Sequence, residues 1–143
     1  MKVSRLLLSI LVSASMMIAA ACTNALNDLF NNPTTPSGST STDTFNGTLP
    51  PSGSIVFTFS VATAGNVSVT LTTVSPATIA PLGLGVGPSS NGNCTIATAA
   101  SGVTAGGTPQ LSATENPGTY CVKVSDAGTL VTTSNVTVTV AHP

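Results

Sequence analysis

From residue 44 onward, apolar and polar residues alternate one by one along the chain. The alternation is clearest in five stretches, at residues 55–61, 67–71, 82–86, 120–124 and 136–140. Every second position there is aliphatic or aromatic, and the positions between are mostly Thr, Ser or Gly. One apolar face and one hydroxylated face are typical of half-buried antiparallel strands.

Turn-forming residues separate these stretches, at residues 50–53, 64–66, 91–92, 106–107 and 116–118. Shorter strands are predicted at 45–49, 95–97 and 110–113, and nothing after residue 44 has the apolar stripe of a helix. About eight strands at this spacing predict an all-β fold. We expect an antiparallel two-sheet β-sandwich with a jelly-roll or Greek-key path.

The beginning of the chain has a different pattern, typical of an export signal. Lys2 and Arg5 precede an apolar run of about 13 residues, and three alanines follow directly before Cys22. Such a run is too short to cross a bilayer core of roughly 30 Å as a helix, and its flanks match a cleaved signal peptide. The cysteine after the alanines resembles that of bacterial lipoprotein signal peptides. The resemblance implies cleavage after Ala21 and lipidation of Cys22.

An ordinary signal peptide cut after Ala21, with Cys22 incidental, is the alternative. Ala19 stands where lipoprotein signals usually carry a branched apolar residue. The cysteine count favours lipidation, because an exported chain with three cysteines leaves one odd thiol in an oxidising compartment. Lipidation of Cys22 removes that thiol and leaves Cys94 and Cys121 as a pair.

Residues 22–43 are predicted to be a lipid-anchored flexible linker before a β-sandwich domain at 44–143. Pro, Ser, Thr, Gly and Asn fill residues 31–43 almost entirely, and such a segment buries too little apolar surface to fold. Lipoproteins of the type that the signal resembles carry several acyl chains, which anchor stably. Thr23, in place of an aspartate, favours the outer membrane. We therefore expect a lipid-anchored protein of the bacterial cell envelope, at the outer membrane.

Charge is scarce in the chain after residue 21. Lys123 is its one strongly basic residue, against the four carboxylates of Asp28, Asp43, Glu115 and Asp126, so its formal net charge is −3. Nucleic-acid binding needs several Lys or Arg side chains to neutralise phosphates. We expect no nucleic-acid partner.

The closing strands carry short motifs in addition to their alternation. These are PGTYCVKV at 117–124, DAG at 126–128 and the valines of 136–140, preceded by GNVSVTL at 65–71 and LGL at 82–84. Over residues 44–141 this order resembles bacterial pre-peptidase C-terminal domains. The resemblance implies the small β-sandwich of a secreted protein. Because the chain has almost no acidic loop residues, the calcium site of some relatives is not expected, and we predict no cofactor and no metal site.

Cys94 and Cys121 are predicted to form a structural disulfide. They have 26 residues between them, and such pairs are usual in exported domains. A redox or metal-binding role is the alternative. It is disfavoured because the chain has no CxxC motif and a single histidine.

Residue types that carry catalysis are few. His142 lies next to the last residue, where we expect an exposed and mobile side chain without a partner. Asp43 is assigned to the linker, and Glu115 and Asp126 are expected in turns at opposite ends of one strand, too far apart to act as a pair. Phe57, Phe59 and Tyr120 share the apolar face of their strands and are expected to pack in the core. We predict no catalytic residue and no enzymatic activity.

The sequence therefore predicts a non-enzymatic cell-envelope lipoprotein with a structural or protein-interaction module. The alternative is a ligand-binding module for glycans or a cation. Besides the membrane, the expected partner is an envelope protein or a glycan. We expect binding at loop residues 88–93 or 102–108, because loops carry recognition on a rigid scaffold, or on the hydroxyl-rich face of a sheet.

Overall fold

The computed structural model describes residues 39–76 and 81–143. The predicted signal at 1–21, Cys22 and most of the predicted linker lie outside these residues. The described residues form nine β-strands: β1 (Ser41–Leu49), β2 (Ser54–Val61), β3 (Gly65–Ser75), β4 (Leu82–Ser90), β5 (Asn93–Cys94), β6 (Thr98–Val103), β7 (Leu111–Glu115), β8 (Gly118–Asp126) and β9 (Ser134–His142). None of the described residues belongs to a helix of the length and hydropathy needed to cross a bilayer.

The strands form two antiparallel sheets by nested pairing. The first sheet has the order β1-β9-β3-β7, and the second has the order β2-β8-β4, with β5 and β6 both paired to β4. The pairs are nested along the chain: β1 pairs with β9, β2 with β8, β3 with β7, and β4 with β6. This nesting is the jelly-roll path, in which two Greek keys close a two-sheet sandwich. The predicted all-β sandwich is confirmed.

The core lies between the inner faces of the two sheets. Alternate residues of the strands are fully buried there, among them Leu49, Val67, Val69, Leu71, Leu82, Leu84, Val86, Val122, Val124, Val136, Val138 and Val140. Phe59 and Tyr120 are also buried, and Phe57 packs against the cluster from an edge strand. The period-two pattern of the sequence is therefore the inward and outward alternation of one core.

Two boundaries differ from those predicted. β1 begins at Ser41, three residues before the predicted start of the domain, because the polar residues 41–43 complete a ladder with β9 through backbone hydrogen bonds. Residues 95–97 are not a strand; the strand β6 follows them instead. The chain there leaves regular geometry while Thr95 and Ala97 still donate backbone hydrogen bonds to Pro88 and Val86 of β4.

Candidate functional site

His142 is buried, contrary to the expectation of an exposed and mobile terminal side chain. It lies at the end of the inward-facing row of β9 and is 6% exposed. Its Nε2 is 3.2 Å from Oδ2 of Asp43, and its ring centroid lies 5.5 Å from that of Phe59. The assignment of Asp43 to the linker is likewise wrong, since this carboxylate belongs to β1.

The histidine and aspartate join the first strand of the sandwich to the last. In the register, His142 lies opposite Ser41 and Asp43 lies opposite Val140. The Asp43–His142 pair therefore joins β1 and β9 diagonally on the inner face. A nucleophilic triad needs a third group hydrogen-bonded to the other ring nitrogen. Among the described residues, Nδ1 of His142 has one contact, the backbone oxygen of Pro143 at 3.5 Å. The Asp43–His142 pair therefore links β1 to β9.

Asp126 is held by four hydrogen bonds at the end of β8. Its Oδ2 accepts the backbone N–H of Ser52 at 2.7 Å. Its Oδ1 accepts the backbone N–H and the hydroxyl of Thr129, at 2.8 and 2.7 Å, and the N–H of Leu130 at 3.2 Å. The carboxylate thus ties the β1–β2 turn to the loop after β8. Both carboxylate oxygens therefore accept hydrogen bonds from the domain itself.

These bonds decide the protonation of Asp126. Burial of the carboxyl by itself raises its pKa, but the donors of Ser52, Thr129 and Leu130 outweigh burial and hold the pKa well below its usual range. The pKa is therefore lower in the folded than in the unfolded chain. Above the unfolded value of about 4 the carboxylate stabilises the fold, and this contribution is lost as the pH falls through that value toward the folded-state pKa.

We predict that Asp126→Asn lowers the melting temperature at pH 7 by on the order of 10 °C. The difference from the parent protein should shrink as the pH falls below about 4, because the parent then loses the same contribution. Thermal melts monitored by circular dichroism at pH 7, 5 and 3 measure both effects. Thr129→Val removes one of the four donors and should give an intermediate result. A difference that is equal at pH 7 and pH 3 would contradict the assignment.

Glu115 and Asp126 lie at opposite ends of β8, as predicted. Glu115 ends β7 just before β8 begins, and the nine residues of β8 span roughly 26 Å. The two carboxylates therefore do not form a catalytic pair.

The hydroxyl of Tyr120 donates to the backbone oxygen of Asn116 at 2.9 Å. Burial and the nearby carboxylate of Glu115 raise the pKa of Tyr120, so its phenol stays protonated.

Cys94 and Cys121 form the predicted disulfide, with Cα atoms 5.7 Å apart. It joins β5 to β8 over the outer face of β4, where Gly87 is the register partner of Cys121. The glycines between the inward-facing residues of β4 leave room for the segment 95–97 to lie on that face. A Cβ atom at Gly87 would overlap the carbonyl oxygen of Thr95, and one at Gly85 would lie 3.0 Å from the side chain of Ile96.

The two segments expected to bind ligand lie at opposite ends of β4. The first, at 88–93, is largely a hairpin in which Ser90 pairs with Asn93 across Asn91 and Gly92, both with positive φ. The second, at 102–108, begins in β6 beside Leu82, the first residue of β4. Because β4 has nine residues, roughly 26 Å separate its ends. The two segments do not line one site.

The outer face of the first sheet is an uncharged array of hydroxyl and amide groups. Four strands contribute outward residues: Thr42, Thr44, Asn46 and Thr48; Asn135, Thr137, Thr139 and Ala141; Asn66, Ser68 and Thr73; and Ser112 and Thr114. We call this surface the hydroxyl–amide face. The sequence pattern indicated a hydroxylated face, but it did not show that four strands combine into one surface.

An open groove of about 260 Å³ lies on the hydroxyl–amide face, between β1 and β9. Its lining residues are Asn46, Gly47, Thr48, Asn135, Val136 and Thr137. In the register, each asparagine stands opposite a threonine. The hydroxyl of Thr137 donates to Oδ1 of Asn46 at 2.8 Å, and that of Thr48 donates to Oδ1 of Asn135 at 3.2 Å. These bonds fix both amide side chains.

In the described part of the chain, no group of three or more His, Cys, Asp or Glu side chains is placed to hold a metal ion.

Comparison with known proteins finds no matching family model and no matching curated protein. The crystal structure of the Yersinia pseudotuberculosis-derived mitogen (YPM) is similar in fold, with a TM-score of 0.50 and 14% sequence identity. The match covers 72% of this chain and 86% of that chain. At this identity the likeness shows the β-rich fold alone.

Proposed function

We propose that the protein is a non-enzymatic lipoprotein of the bacterial cell envelope. In this proposal a lipid on Cys22 holds the jelly-roll domain at the outer membrane, and the domain is a structural or interaction module for another envelope component. The observation that carries the proposal is the hydroxyl–amide face, an uncharged surface built from four strands. The predicted export signal and the disulfide support an oxidising compartment outside the cytoplasm.

The chemistry of the domain also favours binding over catalysis. The carboxylate of Asp126 is committed to four donors, and the ring of His142 is packed against Phe59 and bonded to Asp43. Acyl or glycosyl transfer needs a base, a nucleophile or acid, and a charge-stabilising group around one reacting atom. The carboxylate of Asp126 instead holds turns, and the Asp43–His142 pair joins two strands.

A glycan ligand is the second candidate. The groove favours it, because this site presents amides and hydroxyls without a charged side chain. A ligand rich in hydroxyl groups matches that set of donors and acceptors.

Cys22→Ser tests the anchor. If Cys22 carries the lipid, this change should move most of the protein from the membrane to the soluble fraction, because stable anchoring depends on the acyl chains. Cell fractionation with immunoblotting, together with metabolic labelling by a palmitate analogue, measures both effects.

Thr23→Ser is the matched control, since it alters the neighbouring residue and keeps the cysteine. It should leave fractionation and labelling unchanged. Palmitate labelling that persists in Cys22→Ser would refute the anchor.

A further inference from the structure

We propose that the groove between β1 and β9 is a binding site for one unit of a neutral, hydroxyl-rich polysaccharide. The inference rests on the proposed function and gives it a ligand class and a site. Three features of the groove carry it: the amide donors that remain unused, the lack of charge, and the size.

The hydrogen bonds inside the groove leave a defined set of donors for a ligand. Each asparagine accepts a threonine hydroxyl at its Oδ1. No hydrogen bond among the described residues uses the Nδ2 amide of Asn46 or Asn135. Each such amide carries two N–H donors, and the threonine oxygens keep acceptor lone pairs. Sugar hydroxyls both donate and accept, so this mixed set of groups matches them.

The lack of charge excludes anionic ligands from the site. The six lining residues are uncharged, and so are the outward residues of β3 and β7, the next two strands of the sheet. Carboxylate and phosphate ligands are usually held by Arg or Lys side chains. With its net negative charge after residue 21, the chain also repels polyanions. The complementary ligand is therefore neutral.

The size of the groove limits what it holds. Its volume of about 260 Å³ is below the roughly 300–1,000 Å³ of sites that enclose a drug-sized ligand, and the groove is open to solvent. It therefore has room for one ring-sized unit, with the rest of a chain continuing along the face.

The described aromatic residues add nothing to this site. Phe45 and Phe57 stack on each other with centroids 5.2 Å apart, and Phe59 packs against Tyr120 inside the core. Recognition then relies on hydrogen bonds, and a single site should be weak. Many lipid-anchored copies on one membrane raise the effective concentration for a repeating polymer. A polymer, rather than a free monosaccharide, is the ligand that suits these conditions.

Affinity gel electrophoresis of the purified full-length protein, processed during export, tests the site. The probes are dextran, mannan and galactan as neutral polymers and polygalacturonate as the anionic one. The test variant is Asn46→Asp/Asn135→Asp, which removes the four amide N–H donors while each carboxylate still accepts its threonine hydroxyl. The matched control is Asn116→Asp, an exposed asparagine in the turn between β7 and β8, outside the hydroxyl–amide face. Asn46→Ala and Asn135→Ala separate the loss of donors from the added charge.

We expect at least one neutral polymer to retard the parent protein and polygalacturonate not to retard it. The double variant should bind at least about tenfold more weakly, because the sugar hydroxyls lose the four amide N–H donors of the groove. Asn116→Asp should stay within about twofold of the parent protein. Each alanine variant should weaken binding in part. Melting temperatures show whether each variant is folded.

Several results would overturn the inference. They are the absence of retardation by all three neutral polymers, equal retardation of the parent and the double variant, and stronger retardation by polygalacturonate. Capture of an envelope protein that the double variant loses, without any polymer binding, would assign the groove to a protein partner instead. Membrane retention through Cys22 is measured in the same preparations. If it persists while polymer binding fails, the anchor stands and the polysaccharide site falls.

Discussion

Replacing both Cys94 and Cys121 with Ala is expected to lower the free energy of unfolding by roughly 3–4 kcal/mol. The substitutions remove the cross-link between residues with a sequence separation of 27. The chain-entropy relation gives a loss of stability of this size for a loop of that length. For a domain of about 100 residues the melting temperature should fall by more than about 10 °C. The strand content should be unchanged, because the sandwich core lies on the other face of β8 from the disulfide.

The parent protein under reducing conditions is the natural control, and its melting temperature should approach that of the double variant. Hydrogen exchange adds a local measurement. The amides of Thr95 and Ala97 bond to Pro88 and Val86 of β4, and they should exchange faster once Cys94 is released from β8. Free thiols at both positions in protein recovered from the envelope would show that the pairing is wrong.

The fold was predictable because each long strand carries its own burial pattern. Residues 67–71 and 136–140 alternate strictly, and the structure buries every apolar residue of both stretches. The pattern fails where the backbone geometry changes. β3 continues to Ser75 through a bulge between Leu71 and Thr73, which shifts the parity so that Val74 still faces the core. Local alternation does not show such a shift.

Contacts between distant parts of the chain were not predictable from local patterns. Asp43 and His142 are 99 residues apart, and only the pairing of β1 with β9 brings them together. The groove has the same origin, since the Asn46–Thr137 bond joins positions 91 residues apart. The sequence indicated the residue types of the hydroxyl–amide face. The register that places an asparagine opposite each threonine of the groove is a property of the folded sheet.

The glycines of β4 have a structural role that the sequence pattern does not show. In the sequence, Gly83, Gly85 and Gly87 indicate only a strand with small outward residues. In the structure, the two later glycines lie beneath the segment 95–97, which leads from the disulfide to β6. At Gly87 the close approach of two backbones is the physical reason for the absence of a side chain, and at Gly85 the side chain of Ile96 takes the space.

Gly87→Ala is expected to destabilise the domain by about 3 kcal/mol, at the upper end of the usual cost of overpacking. A Cβ atom there would overlap the carbonyl oxygen of Thr95 and lie 2.7 Å from the nitrogen of Ala97. Both obstacles are backbone atoms. They cannot move easily, because Thr95 and Ala97 donate to β4 at 3.1 and 2.9 Å and Cys94 is bonded to Cys121.

The other glycines of the same strand supply graded controls for Gly87→Ala. At Gly83 the closest atom to a new Cβ is the hydroxyl oxygen of Ser125, which can rotate away, and at Gly85 it belongs to the flexible side chain of Ile96. The expected loss of stability in chemical denaturation therefore rises from Gly83→Ala through Gly85→Ala to Gly87→Ala. If Gly87→Ala is no less stable than Gly83→Ala, the backbone approach does not constrain this strand.

Measuring Gly87→Ala with and without the disulfide separates strain at Gly87 from a general effect of alanine. With Cys94→Ala/Cys121→Ala the segment 95–97 is no longer held to β8 and can move away from β4. The cost of Gly87→Ala should then fall by 1 kcal/mol or more, within the range of roughly 0.5–3 kcal/mol measured for coupled neighbours. A double-mutant cycle from denaturation midpoints gives this coupling energy. Additive effects would mean that the disulfide does not press the segment against β4, and that the hydrogen bonds to Pro88 and Val86 hold it there alone.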